Sequence, residues 1–140
     1  MKKVFFIIIF LLFSIVNLSA ENEVKRIFEG RDDSKIIILV YESLTCSHCA
    51  NFHKDVYPEL KKNFVDKGLV KIEFRNFPLD LAAFNAAKAA QCRVSNGEEI
   101  LHFLYKNQNE WVKGNSIEEL NNNLEKILSS QILYIKKIIL

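Results

Sequence analysis

Leu44-Thr45-Cys46-Ser47-His48-Cys49-Ala50-Asn51-Phe52-His53 decides the reading of this chain. It follows an apolar, β-branched run, Lys35 to Tyr41, and leads into a long stretch of helical periodicity. A strand that ends in Cys-x-x-Cys at a helix start is the arrangement of a redox dithiol. Cys46 falls at or just before the first helical turn, where backbone N–H groups lack partners and the helix dipole is positive. Both features favour the thiolate, the attacking species, over the thiol. Cys49 lies one turn inside and continues a stripe through Phe52, Val56, Leu60 and Phe64, which predicts a core-facing sulfur. An exposed, activated sulfur beside a sheltered one suits thiol–disulfide exchange.

A helix terminus contributes ~0.3–2 kcal/mol, at most about one and a half pKa units. A strongly acidic Cys46 therefore needs direct hydrogen bonds and a nearby cation as well. His48, between the cysteines, is the candidate. A stabilised thiolate is a good leaving group, so the disulfide form becomes easier to reduce. The motif leans toward an oxidant.

Upstream, Met1 to Ala20 reads as a secretory signal. Lys2 and Lys3 precede the apolar run Val4 to Val16, and Asn17-Leu18-Ser19-Ala20 supplies a small-residue exit. The run is shorter than the ~20 residues that span a bilayer, which favours cleavage over an uncleaved anchor. Export implies an oxidising compartment, the periplasm, in which cysteine pairs persist. Removing Lys2 and Lys3 with the signal leaves 17 basic and 17 acidic side chains in residues 21–140. That balance offers no basic stripe for nucleic acid, and the length suits one domain.

Downstream, Lys35 to Tyr41 predicts a central parallel strand, apolar on both faces, with a short strand at Val24 to Phe28 before it. The helix from Cys46 is expected to reach about Asp66, with a kink at Pro58 and an end at Gly68. Leu69 to Phe74 alternates as another strand, so strand, helix and strand make a parallel unit. Asp80 is the expected N-cap of an alanine-rich helix, Leu81 to Cys92. Ser95 to Glu98 and Ser116 to Glu119 have capping-box spacing ahead of Ile100 to Trp111 and of a stripe through Leu120, Leu124, Ile127 and Leu128. Gln131 to Leu140 reads as strand-like.

Competing chemistry is weaker. Zinc takes four ligands, and beyond Cys46 and Cys49 the chain offers Cys92, His48, His53 and His102 with no second Cys-x-x-Cys. An exported copper or zinc carrier using the same cysteines stays as the alternative. A c-type haem needs histidine at Ala50, so no cofactor is expected. His53 and His102 read as helix-surface residues, Cys92 as a small buried residue, and Trp111 and the phenylalanines as core.

With Glu42-Ser43-Leu44-Thr45-Cys46-Ser47-His48-Cys49 and Phe74-Arg75-Asn76-Phe77-Pro78-Leu79-Asp80 both read, the chain resembles the DsbA family. These are exported bacterial thiol oxidases with a thioredoxin fold and an inserted helical block. The resemblance covers about Lys35 to Trp111 and includes Asn107-Gln108-Asn109-Glu110-Trp111. It implies a thioredoxin-like α/β domain, strand–helix–strand with a helical insert, over residues 21–140. It implies Cys46 as nucleophile, Cys49 as resolving thiol and His48 as thiolate stabiliser. Cysteine-containing exported proteins would be substrates, and a membrane-bound redox protein is a further implied partner.

The departures are specific. Ser47 stands where the family usually has proline, and Val40 where it commonly has an acid. Glu42, two residues later on the same strand face, is the expected substitute as proton carrier for Cys49. The family also continues into a strand preceded by a cis-proline, whereas the prolines here are Pro58 and Pro78. The resemblance therefore implies a fold without its C-terminal strands and an open sheet edge that the tail 131–140 could cover. A non-catalytic shortened relative is the second alternative.

Overall fold

Two runs rich in β-branched and aromatic residues pair as parallel strands, β2 (Ile36–Glu42) with β3 (Val70–Asn76), in a register that sets Ile38 beside Ile72 and Val40 beside Phe74. The structure is a computed structural model and describes residues 26–91 and 97–139. The expected signal, Cys92 and the Ser95-Asn96 cap lie outside the described residues. β1 (Ile27–Glu29) lies antiparallel along the far side of β3, giving the order β1-β3-β2.

Side chains alternate across a strand, so Ile27, Ile38, Val40, Ile72 and Phe74 share one face. That face is packed into the core. Phe28, Ile37, Leu39 and Tyr41 share the other, which is exposed. Among the described residues β2 is thus an edge strand, not the central one its apolar run predicts. The central place belongs to β3, because β1 pairs with its free side. An unbroken apolar run does not reveal by itself how many of its faces are covered.

One helix, α1, runs over residues 47–65 between the parallel strands. It alternates α turns (Ser47–Asn51, Tyr57–Leu60) with π turns (Phe52–Val56, Lys61–Val65). Pro58 has no N–H to give the preceding turn, and that turn widens so that Tyr57 N–H bonds the Phe52 carbonyl. The helix ends at Gly68, whose φ is 71°. Each π turn inserts one residue and moves the buried stripe along by one. His53, Tyr57 and Val65 are buried, while Val56 and Phe64 face solvent. The stripe expected from uninterrupted α-helical spacing is corrected on that ground; Cys49, Phe52 and Leu60 stay against the core.

The helical block is α2 (Leu81–Gln91), α3 (Gly97–Lys106), α4 (Gln108–Trp111) and α5 (Ile117–Ile139). Asp80 caps α2 as expected, its Oδ1 accepting from Ala83 N–H at 2.7 Å. Ala82, Ala83, Ala86, Ala87 and Ala90 are buried, and their small size lets neighbouring helices approach closely. Ser116 Oγ accepts from Glu119 N–H at 3.2 Å and starts α5. Leu124 is buried on the expected stripe, with Leu120, Ile127 and Leu128 against the core.

Two further expectations are corrected here. The tail continues α5 as helix to Ile139 and forms no strand. Extending a formed helix fixes one residue per added hydrogen bond, which overrides the modest strand preference of Ile and Tyr. Trp111 is core, but of the phenylalanines Phe74 alone is fully buried among the described residues, and Phe28, Phe64, Phe77 and Phe84 are exposed. No helix among the described residues is long and apolar enough to cross a membrane.

Candidate active site

The turn from β2 into α1 is fixed from three directions. Cys46 N–H donates to the Ser43 carbonyl at 3.0 Å, closing the turn. Thr45 Oγ1 donates to Asp80 Oδ2 at 2.6 Å, and Leu79 N–H donates to Ser43 Oγ at 3.3 Å, which ties the turn to the start of α2. From the helical block, Gln108 Nε2 donates to the carbonyls of Leu44 at 2.8 Å and Cys46 at 3.0 Å. Gln108 is buried, and sequence spacing did not single it out: a polar residue in a short α4 reads as surface until the fold brings it to the turn.

Cys46 is the N-cap of α1, with extended backbone (φ −80°, ψ 119°), and both Cys46 and Cys49 are free thiols. The Cys49 N–H bond to Cys46 sulfur lowers its pKa most. Burial opposes this, and the Cys49 thiol and His48 N–H lower it further. Burial pushes the Cys49 thiol up, and the charges of Cys46 and Glu42 push it further. The pKa values of the two thiols are thus pushed in opposite directions. His48 and Ser47 are exposed.

Glu42 lies at the end of β2, buried to 3% exposure. Its Oε2 meets His53 Nε2 at 2.7 Å, and among the described residues its Oε1 has no hydrogen-bond partner. The buried Tyr105 hydroxyl also lacks one among the described residues; burial and the Glu42 charge raise its pKa. His53, expected on a helix surface, is 8% exposed, with its ring stacked on Tyr105 at 4.0 Å between centroids. His53 follows core-facing Cys49 by four residues and so shares its inner face, which corrects that expectation. His102 is half-buried and its Nδ1 lies 3.0 Å from His53 Nδ1. Among the described residues, no group of three or more His, Cys, Asp or Glu side chains is disposed to hold a metal ion.

This geometry, a dithiol at the start of a helix packed on a mixed sheet and flanked by a helical block, defines a thioredoxin-like protein. Residues 22–134 match the thioredoxin family, and the chain belongs to it. Its fold is similar to that of Wolbachia pipientis alpha-DsbA1, with a TM-score of 0.60 at 23% identity over 83% of this chain and 70% of that one. It is also similar to a protein-disulfide isomerase from Novosphingobium aromaticivorans, with a TM-score of 0.67 at 19% identity over 76% and 65% of the two chains.

A Rickettsia bellii relative, provisionally named a protein-disulfide oxidoreductase, is 33% identical over 65% of this chain. Disulfide bond formation protein D of Bacillus subtilis is 36% identical over 34% of it. The chain spans 36% of the first of these relatives and 21% of the second.

Proposed function

We propose that the protein is an exported thiol–disulfide oxidoreductase that acts through Cys46-Ser47-His48-Cys49 and oxidises the thiols of cysteine-containing proteins. The opposite pKa directions of Cys46 and Cys49 carry this reading. Cys46 attacks as thiolate, and Cys49 is held back as thiol until a mixed disulfide forms on its neighbour. The names of the rickettsial and Bacillus relatives support the same chemistry. Glu42, buried beside the dithiol, serves as proton carrier for Cys49.

The oxidising direction rests on thiolate stabilisation, since whatever favours the Cys46 thiolate favours the reduced protein. The His48 side chain, exposed beside the turn, is assigned as a further stabiliser of that thiolate, added to the backbone N–H groups already directed at the sulfur. Iodoacetamide labelling across pH tests the assignment. Cys46 should label first below the ordinary thiol range, and His48→Ala should move its titration upward and lower the reduction potential with it. Preferential labelling of Cys49 would overturn the assignment, and an unchanged titration would remove the His48 side chain from it.

Export rests on the charged start, apolar run and small-residue exit of Met1 to Ala20. The protein recovered from an exporting cell should begin at Glu21. Retention of Met1 would leave it anchored or unexported.

A further inference from the structure

Behind the dithiol, four side chains from four elements make an unbroken row of hydrogen bonds. Glu42 Oε2 on β2 meets His53 Nε2 on α1 at 2.7 Å. His53 Nδ1 meets His102 Nδ1 on α3 at 3.0 Å. His102 Nε2 meets Glu29 Oε1 on β1 at 2.6 Å. The inner end is buried. The outer end opens: the His102 side chain is 28% exposed and, with His53, lines a groove of 640 Å³ between α1 and the helical block.

Three hydrogen bonds require three protons, and two neutral imidazoles bring two. The third is in excess. Three placements complete the row, on Glu42 with both rings neutral, or on His53 or His102 with Glu42 ionised, and neighbouring states differ by one transfer across 2.7 or 3.0 Å. Glu29 is fixed as the anionic terminus. Burial would raise its pKa, but bonds from His102, Lys61 and Tyr57 outweigh this and bring it down to about 2. Lys61 Nζ lies 2.6 Å from Glu29 and 3.2 Å from Asp66, which balances charge at that end. Tyr105 stacks on His53 and Tyr57 on His102, which holds the two imidazoles at an interplanar angle of 59° to each other.

We infer that Glu42, His53, His102 and Glu29 form a proton conduit between solvent and the Cys49 sulfur during exchange. This rests on the redox reading above. When a substrate thiolate attacks Cys46 Sγ, a bond to the substrate sulfur forms, the Cys46–Cys49 bond breaks, and its electron pair leaves on Cys49 Sγ. A thiolate at that sheltered position is disfavoured, so it takes a proton from Glu42. The Nε2 proton of His53 refills Glu42, and the Nδ1 proton of His102 refills His53. With both His102 nitrogens held by His53 and Glu29, groove water returns a proton when the His102 ring turns out to it. One substrate thiolate and one proton are consumed; one mixed disulfide and one thiol are formed. In reverse, Cys49 gives its proton to ionised Glu42, attacks Cys46 Sγ and expels the substrate thiolate. His53 and His102 act through Glu42 and touch no substrate.

Reaction of the reduced full chain with a nitroaromatic disulfide separates the two steps. The first coloured thiolate is released by Cys46 attack, the second by Cys49 attack on the mixed disulfide. His102→Gln should slow the second release about tenfold or more near pH 6.5 and flatten its pH dependence, with the first release within about twofold of wild type. In His102→Ala, imidazole added to the groove should restore the second release. An unchanged second release, equal slowing of both, or no rescue by imidazole would overturn the conduit.

The unaltered protein gives a measure independent of any variant. Its second release alone should slow in deuterium oxide, with a curved dependence on deuterium fraction; a dependence absent or shared by both steps would count against the conduit. Absence of any first release would instead defeat the redox reading itself.

Discussion

Cys46→Ser should remove dithiol turnover, and Cys49→Ser should stop the protein halfway. The first follows from the position of Cys46 as N-cap of α1, with the N–H groups of Cys49 and His48 directed at its sulfur. A serine hydroxyl does not ionise there, and loss of an attacking group of this kind costs on the order of a thousandfold or more. Cys49 cannot stand in, because its burial and the nearby charges of Cys46 and Glu42 hold it as the thiol. Cys49→Ser keeps the attacking sulfur and lacks the group that resolves the intermediate. It should accumulate a mixed disulfide, seen by intact mass as the protein plus one substrate. Turnover by Cys46→Ser near the wild-type rate would transfer the nucleophile to another cysteine.

The cysteine pair, its helix and the parallel unit were legible because each is a local signal. A β-branched run, a Cys-x-x-Cys spacing and a capping aspartate at Asp80 act within a few residues of themselves. Glu42 was legible too, since strand alternation fixes which face it shares with Val40. What escaped notice depends on events far apart in the chain. The π turns of α1 are local, yet their effect is to shift every later residue of the helix by one. That shift buries Tyr57 and exposes Val56 and Phe64. The meeting of His53 with His102 joins residues 49 positions apart, and the Gln108 bond to Leu44 spans 64. Spacing within one element cannot carry either contact. The place of β2 at the sheet edge was equally hidden, because its apolar outer face reads the same covered or bare.

The helical block holds the active-site turn, and one residue holds much of the block. Trp111 is fully buried at the end of α4, and its Nε1–H donates to the Leu104 carbonyl at 3.0 Å. That carbonyl belongs to the last turn of α3, where intrahelical partners run out. Trp111→Ala therefore removes a large buried side chain and leaves a carbonyl without its donor. Truncation of a buried tryptophan costs about 3–5 kcal/mol. A domain of this size is stable by roughly 5–15 kcal/mol, so the variant should sit near the limit of folding. Trp111→Phe keeps much of the apolar area and loses the donor, and should cost less, about 1–3 kcal/mol. Urea unfolding of both variants orders these effects. Gln108 precedes Trp111 by one turn on α4 and donates to the carbonyls of Leu44 and Cys46. In Trp111→Ala the pinning of that turn should weaken together with α4, so the folded fraction should also lose the selective labelling of Cys46. A Trp111→Ala protein within about 1 kcal/mol of wild type, far inside the expected cavity cost, would mean that the sheet and α1 hold the turn without the block.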